Sequence, residues 1–337
     1  MVGRISRGRL AVLAVVVLSA MGSAGCDEHA MVLSPDHLDR GLVIVLPGID
    51  GVALHNLGLA EALRDAPVPA GVEIWIWTSP LGPLFNQTAM EHNRSMAAEL
   101  AVRIGRYRSE HPDGSVVLIG HSGGTAIAVW AAESLAASAG QIDGIIMLGS
   151  SLSPGYDLSP ALLRIRRGIV NVYSSSDGGL LGVGTAMVGT MDRLSSAGAG
   201  KVGFRGAPGR VYQVAWDSSM ARYDYHGDHF SCCAKRFATA YLAPLVAAED
   251  WDQQLLNSLG QDEAMRVASV SKRGGQTFQR EFFRMPISER ILSLALGMGN
   301  SARAVSGIHR TAAHPRARAR PRRCVHRNAC SVTEKWL

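Results

Sequence analysis

The chain is short of several things, and each shortage excludes a class of protein. Five cysteines among 337 residues exclude a disulfide-dense scaffold. No apolar run reaches the length of a membrane-spanning helix; the best, Leu10 to Ala20, is about 11 residues. Only 18% of residues are charged and 47% are hydrophobic, which fits a folded core and not a disordered chain. No internal repeat recurs, and aromatic residues make up only 6%. Glycine is plentiful, with 37 residues, as expected where tight turns and close helix–sheet packing recur.

The net charge of +6 is confined to the two ends. Arg4, Arg7 and Arg9 lie in the first ten residues, and from Ser301 onward eight arginines and Lys335 stand against Glu334. The section between carries a net charge of about −5, so a basic nucleic-acid-binding core is unsupported and no nucleic-acid partner is expected. The N-terminal arginines followed by Leu10 to Ala20 form the n- and h-regions of an export signal over residues 1–25. Ser23-Ala24-Gly25-Cys26 resembles a bacterial lipobox, with Ser23 in place of the usual aliphatic residue, which implies acylation of Cys26 and a membrane anchor in the cell envelope. Cleavage near Ser23 and Ala24, giving a soluble secreted or periplasmic protein, is the alternative. Residues 26–40 read as a linker. Cys232, Cys233, Cys324 and Cys330 fix no disulfide pairing, because neighbouring cysteines bridge only with strain.

Over residues 41–248 short apolar runs alternate with amphipathic stretches, the pattern of a three-layer α/β/α domain around a mostly parallel sheet. Six strands are expected: Gly41–Leu46, Val72–Trp77, Ser115–Ile119, Gly144–Leu148, Ile169–Tyr173 and Arg210–Ala215. Met96, Leu100, Ile104 and Tyr107 recur at helical spacing along one face of Met90–Arg108. The short connection between the fourth and fifth strands leaves no room for a large cap, so Gly178–Pro208 is the loop expected to shape a pocket. Residues 249–300 read as an accessory helical segment and 301–337 as a basic tail without apolar periodicity.

Gly120-His121-Ser122-Gly123-Gly124 stands between the strand Ser115–Ile119 and the apolar helix Thr125–Leu135. That context turns a common Gly-x-Ser-x-Gly match into a nucleophile elbow: the tight turn presents Ser122 at the sheet edge, and the amides of the helix start face developing negative charge. A serine hydroxyl needs a base and an acid that orients it. Asp177, after the fifth strand, is the preferred acid, with Asp157 and Asp217 as rivals. His229 is the preferred base, since it follows a Gly-x pair and stands nearer the closing helix Ala234–Ala248; His226 is the fallback. Gly123 and Ile49, the latter in Leu46-Pro47-Gly48-Ile49-Asp50-Gly51, are the candidate oxyanion donors.

Together these elements resemble the α/β-hydrolase superfamily over residues 41–248. More narrowly, Pro47–Gly51, His92–Met96, Gly189–Arg193 and Gly227–Phe230 resemble small bacterial hydrolases, notably from planctomycetes. The resemblance implies a serine hydrolase that needs no cofactor and cleaves a small-molecule or lipid ester through an acyl-enzyme. A binding lipoprotein using the same fold is the alternative. Asp224-Tyr225-His226-Gly227-Asp228-His229 also partly resembles the metal-ligand run of metallo-β-lactamase-type hydrolases, but the distant ligands of that family are not evident, so no metal is expected.

Overall fold

Strand β2 (Gly41–Leu46) is buried at every residue, as only a central strand covered on both faces can be. A computed structural model describes residues 29–178 and 189–261. The expected export signal, Cys26, Cys324, Cys330 and everything beyond residue 261 lie outside the described residues. All of those described fall in the first of two units, Met1–Thr277; the second is Phe278–Leu337.

The sheet has seven strands, not the six expected. They are β1 (Ala30–Val32), β2, β3 (Gly71–Trp75), β4 (Ser115–His121), β5 (Ile142–Leu148), β6 (Ile165–Tyr173) and β7 (Val211–Ala215), in the order β1-β3-β2-β4-β5-β6-β7. All neighbours pair in parallel except β1, which runs antiparallel to β3 at the edge. The correction lies within residues 26–40, read as linker. Three residues are too few to show an alternating pattern, and β1 exists because Ala30, Met31 and Val32 find the open edge at Trp75, Ile74 and Glu73.

Side-chain alternation builds the other two layers. Leu42, Ile44 and Leu46 face helices α3 (Met90–Glu110) and α4 (Gly124–Ser134), while Val43 and Val45 face α1 (Leu54–Asp65) and the C-terminal helices. Met96, Leu100, Ile104 and Tyr107 are buried, as their spacing predicts. A short helix, α2 (Pro83–Thr88), precedes α3. Residues 149–164, between β5 and β6, carry only the short helix Ser159–Leu162.

The closing helix is not continuous. It runs as Lys235–Phe237, a wider turn at Ala238–Leu242, and Ala243–Ala247. Pro244 has no N–H and crowds the carbonyl four residues earlier. That carbonyl, on Ala240, accepts from the N–H of Gly260 at 3.2 Å. Trp251, Leu255 and Leu259, from the segment read as accessory, are buried in the same layer. Among the described residues no helix is long and apolar enough to cross a membrane.

Candidate active site

The turn from β4 into α4 has no room for side chains at its glycines. A Cβ on Gly120 would lie 2.7 Å from the Gly124 carbonyl oxygen, and one on Gly124 would lie 2.3 Å from that of Leu46. The chain reverses through Ser122, whose φ of 52° is in the left-handed region that side-chain-bearing residues avoid. Its neighbours hold it there. Ser122 N–H donates to Leu148 O at 2.9 Å, and its own carbonyl accepts from Thr125 Oγ1 at 2.6 Å and Ser151 Oγ at 3.0 Å.

Two further loops meet this turn. His229 Nε2 lies 2.8 Å from Ser122 Oγ, and His229 Nδ1 lies 3.0 Å from each oxygen of Asp177. All three side chains are buried, at 5% exposure for Ser122, 6% for Asp177 and 8% for His229. Gly149, with φ of 55°, lies beneath the pair. A side chain there would come within 3.1 Å of both Asp177 Oδ2 and His229 Nδ1.

The fallback and the rivals lie elsewhere. His226 is exposed, and its backbone N–H donates to Ser231 Oγ. Asp157 and Asp217 accept from the N–H of Ser159 and Ser219 in turns, and the hydroxyl and amide of those serines hold both carboxyls below the usual range. The Asp224–His229 run is not gathered around one point. Asp224 pairs with Arg236, Asp228 accepts from the N–H groups of Phe230 and Ser231, and His229 faces Ser122.

Gly123 and Ile49 are in contact: a Cβ on Gly123 would lie 2.7 Å from Ile49 Cγ2. Among the described residues no protein acceptor takes the N–H of either. The Ile49 loop is tied down through its carbonyls. Asn86 Nδ2 donates to Ile49 O at 2.9 Å and Trp77 Nε1 to Pro47 O at 2.8 Å. Asn86 in turn accepts at Oδ1 from Ser79 N–H and at its carbonyl from Asn93 Nδ2. Asn86, Asn93 and Trp77 were not singled out for this role from sequence. One signal was available: Asn93 lies three residues before Met96, on the apolar face of α3, where an asparagine must find buried partners.

His121, between the elbow's first glycine and Ser122, also carries a role that its motif position does not reveal. Its Nε2 faces the His229 carbonyl at 2.9 Å, and Cys232 Sγ donates to the same oxygen at 3.2 Å. The neighbouring Cys233 thiol, with burial, pushes the Cys232 thiol up, so it stays protonated as a donor. Residues 189–193 are joined to α2: Gln87 Nε2 donates to Gly189 O at 2.8 Å and Arg193 donates to Thr88 O.

No protein-family model and no curated protein matches the chain. Solved structures similar to it include lipase B from Aspergillus fumigatus, 13% identical with a TM-score of 0.45; the match covers 72% of this chain and 64% of the lipase. A lipase-esterase related protein from Clostridium acetobutylicum is 8% identical with a TM-score of 0.39, covering 65% of this chain and 97% of that one. The type II thioesterase BorB from the borrelidin biosynthetic cluster is 14% identical with a TM-score of 0.38, covering 66% and 97%.

Proposed function

We propose that the chain is an exported serine hydrolase of the α/β-hydrolase superfamily that cleaves an acyl bond, with a carboxylic ester as the preferred substrate. The observation that carries this reading is the unbroken run of contacts from Ser122 Oγ through the His229 ring to the Asp177 carboxylate. In this reading His229 Nε2 takes the Ser122 proton as Oγ attacks the substrate carbonyl, and Asp177 holds the proton on Nδ1 and stabilises the imidazolium. The N–H groups of Gly123 and Ile49 stabilise the tetrahedral oxyanion, aided by the positive end of α4. His229 then protonates the leaving alcohol, the acyl group stays on Ser122, and water activated by the same imidazole releases it as the acid.

Ester hydrolysis is preferred over amide hydrolysis because an alkoxide is the easier leaving group. Export and a lipid anchor on Cys26 belong to the same proposal and rest on the N-terminal sequence. The test is a series of p-nitrophenyl esters from acetyl to palmitoyl. Ser122→Ala, His229→Ala and Asp177→Asn are expected to lose about a thousand-fold or more in kcat, and His226→Ala to retain activity. Loss of activity in His226→Ala with retention in His229→Ala would overturn the assignment of the base.

A further inference from the structure

We propose that the catalytic edge of the sheet is a lipid-docking face, held against the bilayer by the anchor on Cys26, and that the ester substrate is a lipid of that bilayer. The inference rests on the readings of Ser122 as nucleophile and of Cys26 as acylated. β1 is antiparallel to β3, and Ala30 pairs with Trp75, the last residue of β3. β3 is parallel to β2, and β2 to β4, whose last residue precedes Ser122. The N-terminal end of β1 therefore lies at the same edge of the sheet as Ser122. His29 is fixed there: its carbonyl accepts from Ile76 N–H at 2.8 Å, its Nε2 lies 3.5 Å from Glu99, and its ring lies 5.4 Å from that of Trp75. Cys26 is three residues further back, and three residues span at most about 11 Å. An acyl chain on Cys26 thus enters the bilayer beside the catalytic edge, on a tether far shorter than a domain of this size is wide.

The same edge is apolar on its outside. Residues 76–90, which begin at the His29 contact, contain no aspartate, glutamate, lysine or arginine. Within this segment Asn86 and Gln87 are buried, while Leu81 and Leu84 are 71% and 60% exposed. Three more exposed apolar side chains stand on neighbouring loops. Leu54 opens α1 after the oxyanion loop, Phe230 follows His229 with its ring against that of His55, and Leu194 follows Arg193, which donates to Thr88 O. A single exposed leucine is ordinary, but five large apolar side chains on the loops of one edge, beside an uncharged segment, mark an interaction surface.

Tether and charge identify the occupant. The anchor brings a bilayer to this edge, and an uncharged segment bearing leucines suits the membrane interface, whereas it gives a protein partner no polar rim to pair with. Apolar side chains docked on a membrane stop at the boundary between head groups and acyl chains. The ester bonds of acyl lipids lie at that depth, so docking brings Ser122 to them. Because the segment is uncharged, docking is indifferent to head-group charge and to salt.

The experiment uses the full acylated chain in phosphatidylcholine vesicles. The photo-reactive p-benzoylphenylalanine replaces Leu84 or, as a control, Leu163, which is exposed at the opposite edge of the sheet, two residues before β6. On irradiation, position 84 is expected to form phospholipid adducts, read by mass spectrometry, and position 163 to form none. Adducts to a second copy of the chain, equal phospholipid adducts at both positions, or none at position 84 overturn the docking face, and so does an N-terminal peptide whose Cys26 carries no acyl chain. None of these results depends on Ser122. A second arm compares hydrolysis of 4-methylumbelliferyl palmitate dissolved in the vesicles with that of water-soluble p-nitrophenyl acetate. Leu81→Asp combined with Leu84→Asp is expected to lower the vesicle rate about ten-fold or more and to leave the soluble rate within about two-fold, with or without phosphatidylglycerol in the vesicle. Equal falls on both substrates, or no fall on either, overturn the delivery of the ester by docking. If wild type hydrolyses neither ester while position 84 still labels phospholipid, the nucleophile reading falls and the face stands as a docking surface alone.

Discussion

The ring of His121 donates from Nε2 to the backbone carbonyl of His229 at 2.9 Å, so the residue before the proposed nucleophile holds the backbone of the proposed base. Ser122 and His229 come from loops more than 100 positions apart, and the bond between Oγ and Nε2 depends on both loops keeping their place. Among the described residues, removing the donor leaves the His229 carbonyl with only the weaker Cys232 thiol. His121→Leu is expected to lower kcat by about ten- to a hundred-fold with KM little changed. His121→Gln, which keeps a donor, restores part of the loss. An equal fall in both variants, accompanied by a matching loss of folded protein, would assign His121 a purely structural role.

Asn86 is the corresponding support for the oxyanion loop. Asn86→Ala removes the donor from the Ile49 carbonyl and is expected to lower kcat about ten-fold or more, because the loop N–H acts chiefly on the transition state. Asn86→Asp does worse, since it turns a carboxylate toward a carbonyl oxygen. Steady-state kinetics separate these effects, and unchanged kcat in Asn86→Ala would remove the residue from the machinery.

The backbone at Ser122 offers a test that does not need a substrate. With φ at 52°, alanine keeps the unfavourable conformation while glycine relieves it. Ser122→Gly is expected to be more stable than Ser122→Ala by about 1 kcal/mol, a rise in Tm of about 2–4 °C. Equal melting temperatures would mean that the elbow stores no strain.

How much of this arrangement could be read from the residues varies with the range of the interaction. Gly120, Ser122 and Gly124 lie within one turn, so a strand before and a helix after were enough to expect the elbow. His226 and His229 share one loop and nearly one sequence context. What separates them is Gly149 and Asp177, brought up by β5 and β6, which no local pattern contains. Asn86 stayed hidden because an asparagine in a short helix reads as a surface residue until the Ile49 carbonyl is placed beside it. The edge strand β1 was missed for want of length, and the interruption of the closing helix was signalled by Pro244 alone.

His55 makes stability depend on pH. Its folded pKa of about 4 lies below the unfolded value of 6.5, so the unfolded chain binds a proton that the folded chain refuses as pH falls from about 6.5 to 4. Stability contributed by this group is therefore intact above pH 6.5 and lost through that window, by about 3 kcal/mol in all. His55→Phe removes the titration. Melting temperatures of wild type and variant at pH 7 and pH 4.5 are expected to diverge less at the lower pH, or to reverse in favour of the variant. Parallel curves would contradict the assignment.

The central claim, that Ser122 is a nucleophile activated by His229 and Asp177, is tested most directly by a fluorophosphonate probe followed by mass spectrometry of the labelled peptides. The account predicts one adduct per chain, carried on Ser122, absent from Ser122→Ala and formed far more slowly in His229→Ala. A folded wild-type protein that stays unlabelled, or that carries the adduct at another residue, would contradict it.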